Sequence, residues 1–166
     1  MSVIMRLQWL LRLCVPFMLC AALALLTACG KSHVPSYQYP PQVRGSSIAA
    51  TAQSQLGRPY AYGGCSPSSG FDCSGLVYWA CAKNGVTVPR MSQGQAEAGI
   101  KIKRTQMRPG DIVVFKIPWS GYHTGIYIGQ NRFIHSPKPR TRVRVESLSN
   151  AYWNKRFVTA RRVAHP

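Results

Sequence analysis

Apolar residues in the middle of the chain recur with the spacing of helices. The pattern predicts a first helix over residues 48–56 with Ser46 and Ser47 as its cap, a second over residues 73–83 that stops at Asn84-Gly85, and a short third over residues 92–98. The side chains expected to face the core are Ile48, Ala52, Leu56, Leu76, Val77, Ala80 and Cys81. This part of the chain is therefore predicted to be helical.

From residue 112 onward, apolar and polar residues alternate with the period of strands. Strands are predicted over residues 112–117, 123–128, 132–136, 140–145 and 156–163, with a short turn of helix over residues 149–154. Helices first and antiparallel strands second indicate an α+β fold. We expect an antiparallel sheet of about five strands, with the helix that starts at Cys73 packed on it.

The N-terminal residues follow neither pattern. Arg6 and Arg12 precede an apolar run over residues 13–26, which is short for a membrane span and ends in LTACG at residues 26–30. This arrangement resembles a bacterial lipoprotein signal, in which Cys29 would be lipidated. We expect a signal peptide over residues 1–28, lipidated Cys29 with a flexible tether over residues 29–45, and a folded domain over residues 46–166. The alternative is an ordinary signal peptide that leaves Cys29 as a spare thiol.

The charge of the chain is strongly positive, with 21 Lys and Arg against 4 Asp and Glu. Removing the leader with Arg6 and Arg12 leaves 19 basic side chains, a net charge of +15. Such a surface favours anionic partners in the cell envelope. Nucleic acid is not expected, because the alternating Arg and Val residues over 140–145 are typical of a strand with a solvated basic face.

Cys73 lies where a loop rich in Gly, Pro and Ser meets the second helix. A helix N-terminus favours an anion, so we expect a lowered thiol pKa at this position. His123 follows about fifty residues later and can serve as the general base, and an imidazole base needs a partner that fixes its tautomer. Each residue alone could be an ordinary core residue; together they indicate a nucleophilic cysteine site. No paired Cys-x-x-Cys or Gly-rich phosphate loop is present, so neither a metal nor a cofactor is expected.

Five ordered motifs connect these residues: GRPYAYGG at 57–64, FDCSGL at 71–76, VPR at 88–90, RPGDIVVF at 108–115 and HTGIYIG at 123–129, followed by FIHS at 133–136. Their order and spacing resemble the NlpC/P60 family of cell-wall cysteine peptidases from about residue 46 to 163. The resemblance implies a papain-like fold and a monomeric hydrolase of peptidoglycan peptides. It also implies that the folded domain over residues 46–166 is the catalytic domain.

The resemblance further implies individual roles. Cys73 would be the nucleophile, His123 the base and His135 its orienting partner, while the Tyr60 hydroxyl would join the Cys73 backbone N–H in binding the oxyanion. Asp72 and Ser74 would contact the substrate or cap the helix. The bond cleaved would be γ-D-glutamyl-diaminopimelate or D-alanyl-diaminopimelate, and the sequence leaves both open. A non-catalytic peptidoglycan-binding lipoprotein and a toxin delivered to competitors are the alternative functions.

The turn between the two histidines sets a further constraint. A plain two-residue loop at Gln130-Asn131 would place His123 and His135 on opposite faces of the sheet. A three-residue loop or an equivalent bulge would instead set His135 opposite Gly125, diagonal to His123. We predict the second arrangement, with both imidazoles and the Cys73 sulfur on the side of the sheet that faces the helix.

Overall fold

The computed structural model describes residues 43–165, so the predicted signal peptide, Cys29 and nearly all of the predicted tether lie outside the described residues. Within this range the structure contains four α-helices: α1 (Gly45–Gln53), α2 (Cys73–Lys83), α3 (Ser92–Gln95) and α4 (Ala151–Arg156). The strands are β1 (Cys65–Ser66), β2 (Gly70–Phe71), β3 (Ile100–Ile102), β4 (Ile112–Ile117), β5 (Gly121–Gly129), β6 (Arg132–His135), β7 (Arg144–Ser147) and β8 (Phe157–Arg162). No helix in the described range is long and apolar enough to cross a lipid bilayer.

The main sheet has six strands in the order β3-β8-β4-β5-β6-β7, and every neighbouring pair is antiparallel. The predicted α+β class is confirmed. The edge strand β3 was missed because three residues carry no readable alternation. β7 starts at Arg144 rather than at residue 140, because Arg140 has a φ of +64° and Thr141 closes a turn onto the Lys138 carbonyl.

The first helix differs from its prediction at both ends. It begins at Gly45 after Arg44, without a side-chain cap, and Gly45 donates its backbone N–H to the His165 carbonyl at 2.8 Å. This contact with the end of the chain fixes the start of the helix, so the local serine signal was misleading. Leu56 lies beyond the end of the helix and is 51% exposed, whereas Ile48 is fully buried as predicted.

The second helix has the predicted start, end and buried face. The Asp72 side chain caps it by accepting the Gly75 backbone N–H at 2.6 Å, and Asn84 ends it before Gly85, whose φ is +73°. Its four inward residues pack against the same side of the sheet as α1, in a core that includes Ile112, Val114, Ile126 and Ile134. Cys73 therefore sits at the first position of a helix that is anchored along its length.

The opposite side of the sheet carries a second, aromatic cluster. It consists of Val113, Phe115, Phe133, Leu148 and Trp153, the last of which belongs to α4. His123 is paired directly opposite Phe115 on the neighbouring strand, and His135 lies two residues after Phe133. Both imidazoles therefore lie on this aromatic side. The prediction that they face the helix that starts at Cys73 was wrong, because the intervening residues, such as Thr124 and Ile126, point to that helix instead.

The hairpin between β5 and β6 contains the predicted irregularity. Ile126 pairs with Ile134 and Tyr127 with Phe133, but Gly129 pairs with Arg132, so Ile128 is an extra residue. The turn itself has two residues, Gln130 and Asn131, with φ values of +50° and +56°. The bulge gives the register predicted for an odd-length loop and brings the two imidazoles to one face.

Gly125 provides the space that this register needs. A Cβ atom at Gly125 would lie 2.7 Å from the Ile134 carbonyl oxygen and 3.1 Å from the Cβ of His135. A larger residue would therefore push directly against the strand that carries the second imidazole.

Candidate active site

One cleft of about 700 Å³ brings together side chains from separate parts of the fold. Tyr60 comes from the loop after α1, Cys73 from the start of α2, His123 from β5 and Trp153 from α4. His135 lies behind His123 and is fully buried. The structure thus assembles the four side chains to which the sequence assigned catalysis.

The two imidazoles are joined by a hydrogen bond. His123 Nε2 lies 2.8 Å from His135 Nδ1, and the two rings are perpendicular. This bond leaves Nδ1 of His123 as the ring nitrogen available to Cys73. The indole of Trp153 stacks on His123 with ring centroids 5.2 Å apart, so the first ring is held from two directions. No signal in the sequence indicates that Trp153 belongs to the site.

Burial controls the protonation of these rings. It lowers the pKa of His123 to about 4 and holds the pKa of His135 well below the ordinary value of 6.5, with the positive charges of His123 and Arg144 as smaller causes for His135. Both imidazoles are therefore neutral at neutral pH.

The pKa of the Cys73 thiol differs from the prediction. Burial raises the pKa of Cys73 above the ordinary value of 9.0, although the backbone N–H groups of Thr124 and Ser74 favour the thiolate. The start of the helix does favour the anion as expected, but desolvation outweighs it. At rest the site holds a protonated thiol beside a neutral imidazole rather than an ion pair.

Tyr60 has the properties of a hydrogen-bond donor. Desolvation, followed by the nearby Cys73 and Asp72, raises the pKa of its hydroxyl above 10.0, so the proton stays on the oxygen at neutral pH. Its position in the cleft beside Cys73 fits the predicted contribution to an oxyanion site.

Asp72 and Ser74 are engaged by the protein itself. The Asp72 carboxylate caps α2 and forms a two-pronged ion pair with Arg90, at 2.8 Å and 3.0 Å. Ser74 Oγ accepts a hydrogen bond from Arg90 and donates one to Asp72. Neither residue is among those that line the cleft. Of the two roles predicted for Asp72, the structure shows the cap, while substrate contact stays a prediction for both residues.

Gln95 is a further residue of this site, besides Trp153, that was not expected from the sequence. It is fully buried, donates to the backbone carbonyls of Ser74 and Pro89 at 2.9 Å each, and accepts from Thr124 Oγ1 at 2.7 Å. It thereby ties the residue after the thiol to the residue after His123. Its sequence context, Ser-Gln-Gly-Gln, is polar and suggests an exposed turn, so no local signal marks it.

No three His, Cys, Asp or Glu side chains within residues 43–165 are grouped so that they could hold a metal ion. Of the cysteines in that range, Cys65, Cys73 and Cys81 are all free thiols.

Comparison with protein families matches residues 57–162 to the NlpC/P60 family. The chain is 39% identical over 117 residues to murein DD-endopeptidase MepH of Escherichia coli, covering 68% of this chain and 43% of that protein. It is 40% identical over 110 residues to the bifunctional muramidase/DL-endopeptidase CwlT of Bacillus subtilis, covering 64% of this chain and 33% of that protein. The chain thus spans less than half the length of these two curated relatives.

Solved structures show the same fold. An NlpC/P60 family protein from Bacillus cereus superposes with a TM-score of 0.68 at 28% identity, covering 76% of this chain and 41% of that one. The NlpC/P60 domain of the peptidoglycan hydrolase SagA superposes with a TM-score of 0.63 at 33% identity, covering 72% of this chain and 99% of that one.

The buried imidazoles predict a loss of stability in acid. An unfolded chain protonates His123 near pH 6.5, whereas the folded chain does so only near 4, so the free energy of unfolding should fall as the pH drops between these values. We expect a loss of roughly 2 kcal/mol from His123 between pH 7 and 4.5. Urea unfolding at both pH values measures it.

The matched comparison uses two substitutions of histidine. His123→Gln should remove most of this contribution, whereas His165→Gln, at an exposed position, should leave it in place. An equal pH dependence in the His123→Gln variant and the unaltered protein would contradict the prediction.

Proposed function

Because this chain belongs to the NlpC/P60 family, we propose that it is a peptidoglycan hydrolase, a cysteine endopeptidase that cleaves an amide bond in murein peptides through an acyl-thioester. The observation that carries the proposal is the hydrogen bond between His123 and the buried His135, with His123 in the same cleft as a cysteine at a helix N-terminus. The names of the relatives, which are murein DD- and DL-endopeptidases, support the substrate class.

In the proposed acylation step, the Cys73 sulfur attacks the scissile carbonyl carbon while its proton moves to Nδ1 of His123. Since both groups are neutral at rest, this transfer accompanies the attack rather than preceding it. The resulting imidazolium is stabilised by donating its Nε2–H to Nδ1 of His135, which keeps the ring in the orientation the reaction needs.

The carbonyl oxygen becomes an oxyanion in this step. The Cys73 backbone N–H and the Tyr60 hydroxyl are the proposed donors to it. When the tetrahedral intermediate collapses, the carbon–nitrogen bond breaks and the amine leaves with the proton from His123. The acyl group then remains on Cys73 as a thioester.

Deacylation reverses these roles. A water molecule gives one proton to His123 as its oxygen attacks the thioester carbonyl, and the Cys73 sulfur leaves and recovers that proton. The carboxylic acid product then dissociates. The bond attacked is γ-D-glutamyl-diaminopimelate or D-alanyl-diaminopimelate, and in both the leaving amine belongs to diaminopimelate.

We further propose an envelope location for this chain, with a lipid on Cys29 that anchors it to the outer membrane facing the periplasm. The lipobox-like residues 26–30 support the anchor, and Gly30 supports the outer membrane because an aspartate there would be the inner-membrane retention signal. We propose that the protein acts as a monomer and binds no nucleic acid.

Loss of the thiol should abolish hydrolysis. With purified sacculi as substrate and mass spectrometry of the released muropeptides, Cys73→Ala should release none, because no other thiol lines the cleft in the described structure. The matched control is Cys65→Ala, which removes a partly exposed thiol outside the cleft and should retain activity. Turnover by Cys73→Ala would refute a cysteine peptidase, and the masses of the products identify the bond.

Replacing the second imidazole, His135, should reduce activity less than replacing the first, His123. The amide oxygen of His135→Gln can still accept the hydrogen bond from His123 Nε2, so we expect a partial loss of kcat on the same sacculi, smaller than the loss caused by His123→Ala. If His135→Gln is as inactive as Cys73→Ala while it unfolds at the same urea concentration as the unaltered protein, an orienting role for His135 is wrong.

The lipid anchor predicts a change of location. Cys29→Ser should move the protein from the membrane fraction to the soluble periplasmic fraction, since the acceptor for the lipid is lost. Cys20→Ser, which removes another cysteine of the predicted leader, should leave the protein in membranes. An intact mass of the mature protein without lipid on Cys29 would rule out the anchor.

A further inference from the structure

The cleft wall on the histidine side carries charged residues that the proposed chemistry does not use. We call Lys138, Arg144 and Glu146 the charged wall; all three line the cleft. Arg144 lies on β7 directly opposite His135 on β6, and Arg144 Nη2 is 2.7 Å from Glu146 Oε1. These charges therefore stand next to the imidazole pair, on the same side of the sheet.

Arg144 keeps donors free for a ligand. Its side chain is 48% exposed, and the ion pair with Glu146 uses one of its nitrogens, whereas a guanidinium has five N–H groups. Glu146 thus holds the side chain against the wall without using all of its donors. The fork shape of a guanidinium suits a carboxylate, which can accept two of these bonds at once.

Lys138 adds a second positive charge at the edge of the same wall. It stands between Pro137 and Pro139, and the turn is closed by Thr141 Oγ1 on the Lys138 carbonyl. Proline fixes φ on both sides, so the backbone that presents the ammonium is restricted. The charged wall has two positive side chains, Lys138 and Arg144, against the negative Glu146, so its charge is net positive.

The position of the wall relative to the reacting atoms indicates which half of the substrate it meets. His123, His135 and Arg144 lie on three successive strands, β5, β6 and β7, and neighbouring strands are about 4.8 Å apart. His123 must lie beside the leaving nitrogen, since it gives that nitrogen its proton. Arg144, two strands beyond His123 and in the same cleft, is therefore placed where the leaving half can reach it.

The leaving half has matching chemistry. In both bonds considered above, the leaving amine belongs to a diamino acid, and that residue has a carboxylate that takes no part in the peptide chain. We propose that Arg144, held by Glu146 and aided by Lys138, binds this carboxylate, so that the protein distinguishes peptides with the free acid from those with the amide. This inference rests on the proposed function and adds a specificity site to it.

The test compares two synthetic crosslinked muropeptides that differ only in that group, carboxylate or carboxamide. Because a site built for a charged partner is left with unpaired donors by a neutral one, kcat/KM should be about 10- to 100-fold higher for the free acid. Arg144→Gln should lose most of its activity on the free acid and little on the amide, bringing the ratio close to one. Arg132→Gln removes the same charge from an exposed position on β6 outside the cleft and should keep the native ratio.

A binding measurement separates the two proposals. Calorimetric titration of the Cys73→Ala protein with the same peptides reports affinity without turnover, and the free acid should bind about tenfold more tightly. If the unaltered protein cleaves neither peptide, but this binding preference is present and depends on Arg144, the proposed activity is refuted and the specificity site is not.

Two results would overturn the specificity site. An equal loss on both peptides in Arg144→Gln would mean that Arg144 acts through His135 instead of through the substrate. An unchanged ratio in Arg144→Gln would mean that the carboxylate binds elsewhere.

Discussion

The hydrogen bond between His123 and His135 depends on a single extra residue in a hairpin. Without the bulge at Ile128, the register of β5 and β6 would shift by one and one imidazole would turn to the other side of the sheet. Gly125 adds the second condition, since a side chain there would collide with the strand that carries His135. The backbone pairing of β5 and β6 therefore determines whether the two imidazoles can meet.

A second set of contacts fixes the thiol relative to that pair. Asp72 and Arg90 hold the start of α2, and Gln95 joins this helix start to β5 through carbonyl and hydroxyl partners. Buried polar groups stabilise a site only when their partners are present, because an unpaired buried donor or acceptor is costly. Both polar atoms of the Gln95 side chain are engaged, because Nε2 donates two hydrogen bonds and Oε1 accepts one. The distance between Cys73 and His123 is therefore set by a network rather than by one loop.

The sequence was most informative where a local signal decides the structure. The bounds of α2 were predicted because Asp72 caps one end and Asn84-Gly85 stops the other, and β4 was predicted because a short, nearly continuous apolar run is typical of a buried strand. Prediction failed where contacts between residues far apart in the sequence determine the structure. The start of α1 is set by His165, and the position of Leu56 follows from the early end of that helix.

Two features of the site could not be predicted for a related reason. Alternation along a strand shows which residues share a side of the sheet, but not on which side the helices pack. The side on which the imidazoles lie is therefore known only from the tertiary structure. The pKa of Cys73 depends on how deeply the thiol is buried, which a motif does not report. Gln95 shows the same limit, since nothing in its neighbourhood along the chain indicates that it is enclosed.

The protonated resting state of Cys73 has a consequence for the lifetime of the nucleophile. Oxidants convert thiolates to sulfenic and higher acids, and a thiol that stays protonated reacts with them slowly. In the proposed mechanism the proton leaves Cys73 only during attack on the carbonyl, so little thiolate is present at other times. The same desolvation that opposes ionisation therefore also slows oxidation of the sulfur.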